Sequence, residues 1–120
     1  MIDRGNVGGL RLVWTRALGP GVQEGTPLVY DGVLYMPNPS DLIQALDAAT
    51  GAKKWEYAHD LDVTVHCCGP VNRGVAVYEG RVYAGLLDGR LVALDAETGP
   101  IGPGETRLIV VRQLEPGDYP

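Results

Sequence analysis

The sequence predicts an all-β fold, a partial β-propeller of about two and a half blades. Three observations lead there. Glycine and proline account for 17 and 9 of the 120 residues, which signals many turns and little helix. Short apolar runs flank Asp-Gly and Thr-Gly turn signals. The sequence also repeats itself. "YDGVLYM" from Tyr30 returns as "YEGRVYA" from Tyr78, and "ALDAATG" from Ala45 returns as "ALDAETG" from Ala93, each 48 residues later. A fainter match pairs "RLVWTRALGPG" from Arg11 with "RLIVVRQLEPG" from Arg107, 96 residues on, or twice that period. Four short strands repeating every 40–50 residues or so make propeller blades, whereas stacked helical pairs would show a 3.6-residue periodicity that is missing here.

The period divides the chain into residues 1–21, the end of one blade; 22–60, a full blade; and 61–117, the next blade with a long loop. In the full blade, "PLVYDGVLYM" reads as two strands around an Asp-Gly turn. "LIQALDAATGAKKWEY" follows as two more strands around a Thr-Gly turn, where Asp47 and Thr50 can bond to the backbone and Gly51 supplies a positive φ. Trp14 and Trp55 read as residues that pack one blade on the next. The third unit departs from the pattern. Thr98-Gly99 runs into "PIGPGETRLIVV", a turn about seven residues longer, with Val110 where the other units carry tryptophan. A looser contact at that blade is the expectation. A closed propeller takes roughly 4–8 blades, so the chain is expected to be a piece of a longer protein.

The formal net charge is −5 and no basic patch is present, which argues against nucleic acid or an anionic membrane as partner. No apolar run approaches the ~18 residues of a membrane-spanning helix. The start, "MIDRGNVGGL", lacks the basic and apolar regions of a signal peptide, and its glycines lack the strand and helix of a nucleotide-binding turn. His59 and His66 read as ordinary loop residues, and Asp88 and Asp95 form no calcium-loop pattern.

The only two cysteines stand side by side in "HCCGP", residues 66–70. Three readings are open: buried thiols, metal ligands together with His66, or a pair with a function of its own. Adjacent side chains on an extended segment diverge and the usual ligand spacings are missing, which weighs against the metal.

Three motifs taken together resemble a known family. The repeat "ALDAATGAKKW" resembles the tryptophan-docking repeat of quinoprotein dehydrogenases, eight-bladed propellers that use pyrroloquinoline quinone (PQQ). Propellers without a cofactor, such as scaffold proteins of outer-membrane assembly, share that repeat. "QEGTPLVYDGVLYM" resembles the family's first cofactor-contacting segment, with Glu24 at the glutamate position. "HCCGPVNRGVAVY" resembles the second, with Cys67 and Cys68 followed by Asn72, Arg73 and Gly74. The similarity covers nearly the whole chain and weakens after Gly99.

The resemblance implies a PQQ-dependent alcohol dehydrogenase that oxidises an alcohol to an aldehyde and passes electrons to a cytochrome c or a quinone. It implies a disulfide between Cys67 and Cys68 that lies against one face of PQQ. Such a bond closes almost no chain loop and so does little for stability through loop entropy. It also implies an oxidising compartment, the periplasm. By resemblance Arg73 hydrogen-bonds the ortho-quinone oxygens, where a cation stabilises developing negative charge, and Glu24 contacts the cofactor edge. The family's catalytic aspartate, its calcium ligands and the tryptophan over the other cofactor face belong to later blades, and no Cys-x-x-Cys-His haem motif is present. This stretch is therefore expected to supply one wall of a site, to hold no catalytic residue or metal ligand, and to be inactive without the remaining blades. A non-catalytic scaffold propeller and a sugar dehydrogenase of the same cofactor class are the alternatives.

Overall fold

A computed structural model describes residues 1–61 and 69–100 and the backbone of residues 107–110. It is built from two antiparallel four-stranded sheets, with single-turn 3-10 helices at Val7–Gly9 and Pro39–Asp41. The first sheet runs β1 (Leu28–Tyr30), β2 (Val33–Pro37), β3 (Ile43–Asp47) and β4 (Lys53–Tyr57), each strand paired with the next in sequence. The second repeats that order with β5 (Ala76–Tyr78), β6 (Arg81–Gly85), β7 (Arg90–Asp95) and β8 (Arg107–Val110). Two meanders of this kind, stacked in sequence, are the all-β, partial-propeller architecture read from the repeats.

Local chemistry sets each hairpin. Asp31-Gly32 and Glu79-Gly80 both adopt positive φ, the two-residue turn whose twist matches that of the flanking strands. They bring Tyr30 opposite Val33 and Tyr78 opposite Arg81. At the β3–β4 turn the Asp47 carboxylate accepts from the backbone N–H groups of Ala49 and Thr50 and from the Thr50 hydroxyl. These bonds hold its carboxyl below the usual carboxylate range, the Thr50 hydroxyl being the leading cause. Asp95 repeats this one period later with the N–H groups of Glu97 and Thr98, and its carboxyl is lowered chiefly by the bond from the Thr98 N–H. The turn carbonyls of Gly32 and Gly80 accept from Ala48 and Ala96, tying the two kinds of turn together in both sheets.

The core lies between the sheets. Tyr35, Ile43, Ala45 and Trp55 from the first meet Val82, Ala84, Leu86, Val92 and Leu94 from the second. Along β6 the burial alternates, Val82 and Ala84 facing in, as a strand with one covered face requires. The contact is locked by tryptophan. The Trp55 indole N–H donates to the Ala96 carbonyl at 3.1 Å, and the Tyr35 hydroxyl donates to the same oxygen. The Trp55 ring covers Gly99 so closely that a Cβ there would lie 2.6 Å from Cδ2. Trp14 does the same one unit earlier, donating to Ala48 at 3.0 Å and covering Gly51. Both glycines sit at φ near +80°, +74° for Gly51 and +80° for Gly99, so the repeated spacing of the turn serves backbone and packing together.

Candidate functional site

Hydrogen bonds and an ion pair link the β2–β3 loop, the β6–β7 loop, the segment 22–27 before β1, and the described residues 58–61 after β4 and 69–75 before β5. Glu24 and Arg73, two of the four residues singled out from sequence, meet here: Arg73 Nη2 stands 3.2 Å from Glu24 Oε2. Arg73 is 72% and Glu24 41% exposed, so the guanidinium keeps free faces toward solvent. The other two, Cys67 and Cys68, lie outside the described residues, as does His66.

The backbone around this pair is closely specified. Thr26 N–H donates to the Arg73 carbonyl at 2.9 Å, which joins the Glu24 segment to the Arg73 segment directly. Gln23 Nε2 donates to the Pro37 carbonyl at 2.7 Å. Gly25 lies against that same carbonyl, where any side chain would collide with it. In "QEGT", Gln23 thus ties the strip to the β2 end and Gly25 lets it lie flat, which leaves Glu24 pointing outward.

Asn72 does the equivalent for Arg73. Its amide nitrogen donates to Asp41 Oδ1 at 3.0 Å and to the Gly85 carbonyl at 2.9 Å, while its Oδ1 accepts from Gly74 N–H. Arg73 is therefore bracketed by its neighbours' hydrogen bonds. Asp41 is fully buried, and its second oxygen accepts from Leu87 N–H at 2.7 Å. A buried carboxylate is costly unless its lone pairs are used, and here both oxygens are engaged. The loop carrying Asp41 is strained, with Ser40 at φ +60° and Asp41 at φ +57°. Non-glycine residues in that region cost roughly 1–2 kcal/mol each and persist where their surroundings overdetermine them. Here the Asp41 bonds and the Ser40 N–H bond to Pro70 do so.

A second buried cluster lies beside it. His59 Nε2 stands 2.6 Å from Asp88 Oδ2, and His59 Nδ1 2.9 Å from the Tyr57 hydroxyl. A neutral His59 protonated at Nε2 donates to Asp88 and accepts from Tyr57. Arg90 Nε also reaches Asp88, at 3.3 Å. Burial works against the Asp88 carboxylate, but the bonds from His59 and from the Arg90 backbone, with the Arg90 guanidinium nearby, hold its pKa below the usual value. Burial pushes the Tyr57 phenol up, and the Asp88 charge adds to it. His59 is thus a bonded, interior residue; its reading as an ordinary loop histidine is corrected. Sequence alone also missed Asp41 and Asp88, whose partners lie 31 and 29 residues away.

The chain as a whole is similar to known proteins. The family model described as glucose/ethanol/alcohol dehydrogenase, β-propeller domain (PQQ) matches residues 1–104. The chain belongs to this family. Its relatives in the PQQ dehydrogenase family include the dehydrogenase subunit of a quinone alcohol dehydrogenase from Gluconacetobacter polyoxogenes, 47% identical over 104 residues. That match covers 83% of this chain and 14% of the relative, so the chain spans about one seventh of that protein's length. A solved europium-containing methanol dehydrogenase superposes with a TM-score of 0.71 at 38% identity, over 82% of this chain and 18% of that one. BamB from Moraxella catarrhalis superposes with a TM-score of 0.51 at 29% identity, over 68% of this chain and 22% of that one.

The chemistry of the described residues fits the cofactor named by this family. PQQ is a planar, acidic ortho-quinone; an exposed guanidinium offers it a fork of donors, and Glu24 holds that guanidinium at one edge while leaving its other edges open.

Proposed function

We propose that this chain supplies one wall of the PQQ site of a quinoprotein alcohol dehydrogenase, a periplasmic enzyme oxidising an alcohol to an aldehyde. The observation that carries the reading is the Glu24–Arg73 pair: two cofactor-segment residues, 49 positions apart in a PQQ-family chain, in ion-pair contact on one surface. Bound PQQ supplies the two-electron redox chemistry. Arg73 donates hydrogen bonds to its quinone oxygens, and the fixed positive charge favours electron density arriving there. Glu24 pairs with the guanidinium at one nitrogen and would accept a hydrogen bond at the cofactor edge. Cys67 and Cys68, which lie outside the described residues, would as a disulfide offer a flat, polarisable face to the cofactor. Calcium, or a similar cation, is held by residues of other blades, as are the catalytic base and the groups that meet the electron acceptor, a quinone or cytochrome c.

The likeness to BamB favours a second reading, a non-catalytic propeller that binds protein. It has no use for a cationic fork at Arg73 or for an adjacent cysteine pair in the sequence, and the likeness is weaker in both identity and TM-score than that to the methanol dehydrogenase. The test is alcohol-dependent dye reduction by the full-length protein with PQQ and calcium. Turnover that vanishes without PQQ is expected, together with none from the 120-residue chain alone. Full-length protein that neither binds PQQ nor reduces dye would leave the scaffold reading standing, and turnover by the short chain would refute the incomplete-wall assignment.

A further inference from the structure

The β6–β7 turn takes no part in the proposed cofactor contacts, yet three bonds from other elements end on it. The Gly85 carbonyl accepts from Asn72, Leu87 N–H donates to Asp41, and Asp88 pairs with His59. His59 and Asn72 are the two stems of the stretch that leads from β4 to Arg73. Asp41 comes from the other sheet, on a strained loop whose Ser40 N–H also bonds Pro70 within that stretch. Four segments distant in sequence are thus gathered by side chains that are themselves buried: Asp41, Asn72, His59 and Asp88. None of these four bonds is required by the repeat, whose sheets are held by the tryptophan docking and the core. The β6–β7 turn and its equivalent in the first sheet, Asn38–Leu42, share the bond the repeat supplies, Leu86 N–H to the Arg90 carbonyl and Asn38 N–H to the Leu42 carbonyl.

From this we infer that Asp41 is a positioning residue for PQQ binding, which acts through Asn72 and the Gly85–Leu87 backbone to set the Arg73 guanidinium against Glu24, with His59–Asp88 holding the opposite stem to the same turn. The inference rests on the cofactor reading above and adds a residue that touches no cofactor. Asp41 Oδ1 fixes the Asn72 amide, that amide's oxygen fixes Gly74 N–H, and Arg73 lies between them. Its carbonyl is fixed in turn by Thr26 N–H, two residues from Glu24. Turning the Asp41 carboxylate away removes one of the two bonds that hold the Asn72 amide and loosens the Arg73 backbone, while the core contacts of Val82, Val92 and Leu94 stay in place.

The experiment compares full-length wild type, Asp41→Asn and Leu94→Ala by equilibrium titration with PQQ, by the absorbance of the bound cofactor and by thermal unfolding. Asp41→Asn places an N–H where Oδ1 or Oδ2 must accept, so the Asn72 or the Leu87 bond is lost. Its PQQ dissociation constant is expected to rise at least about ten-fold, with a changed absorbance spectrum of the bound fraction. Leu94→Ala empties core volume far from this turn and lowers the unfolding midpoint at least as much, but is expected to keep PQQ affinity within about two-fold of wild type. Asp41→Asn with affinity and spectrum like wild type overturns the inference alone. Equal losses of affinity in both variants also overturn it, because the effect then follows stability. Wild type without PQQ binding overturns the cofactor reading and this inference with it. Should Asp41→Asn not fold, Asn72→Ala removes the same link while leaving Asp41 bonded to Leu87, and the same outcomes apply.

Discussion

Replacing Gly99 by alanine tests how the blades are held together. Two costs add at this position. The backbone sits at φ +80°, where an L-residue with a Cβ pays roughly 1–2 kcal/mol. The new Cβ would lie 2.6 Å from Trp55 Cδ2 and 2.8 Å from Cε3, contacts that force the indole or the turn to shift, and overpacking of that kind costs about 1–3 kcal/mol. The sum is about 2–5 kcal/mol. Gly80→Ala is the control. Its φ is +72°, nothing lies within 4 Å of the added Cβ, and its carbonyl bonds Ala96 in the same turn, so it carries the backbone cost alone. The assay is native-state hydrogen exchange in the full-length protein, read at residues 95 and 99, whose N–H groups bond each other's carbonyls across the turn. At a factor of ten per 1.4 kcal/mol, Gly99→Ala is expected to speed exchange there by about 30-fold to several thousand-fold. Gly80→Ala is expected to speed exchange at Ala96 by about 5- to 30-fold. Equal acceleration in the two variants would show that the Trp55–Gly99 contact contributes no packing constraint, and the docking account would fail.

Stability should fall at both ends of the pH scale. Asp47, Asp95, Asp88 and Glu56 have carboxyls lowered in the folded state, so their contribution is present above the unfolded range near about 4 and is lost as pH falls through the lowered values. Tyr35 and Tyr57 are raised, chiefly by burial, so their contribution is complete below about pH 10 and is lost as pH rises through the raised values. Unfolding midpoints measured from pH 3 to 11 should form a plateau with two falling limbs; a midpoint unchanged down to pH 3 would contradict the turn-carboxylate account. Cys67 and Cys68 should resist alkylation until reduced, and intact mass should then show two added groups. Two groups added without reductant would mean free thiols and no plate.

The periodic parts of the structure were legible because each is a local rule repeated. The Asp-x-x-Thr-Gly turn needs only a carboxylate, a hydroxyl and a positive φ within five residues, and both copies form as read. Trp14 and Trp55 were legible as packing residues because they recur in successive units, and each covers the Thr-Gly turn of the unit that follows. Glu24 and Arg73 were each singled out through motif resemblance; that they touch is a finding of the structure, and nothing in their spacing says so. Asp41, His59 and Asp88 were invisible for a physical reason. Each is bound to partners on another segment, and a buried carboxylate or imidazole has no local pattern that separates it from a solvated one. The one available signal was the odd company of Pro39-Ser40-Asp41, a polar loop with no glycine to carry its left-handed turn.

The central claim is that Arg73, held against Glu24, contacts PQQ. The most direct measurement is the PQQ dissociation constant of the full-length protein with and without Arg73→Ala. Losing hydrogen bonds from a charged donor costs about 1.5–3 kcal/mol. Affinity should therefore drop by about 10- to 150-fold, with the unfolding midpoint little changed because the side chain is 72% exposed. A variant that binds PQQ within two-fold of wild type would contradict the account.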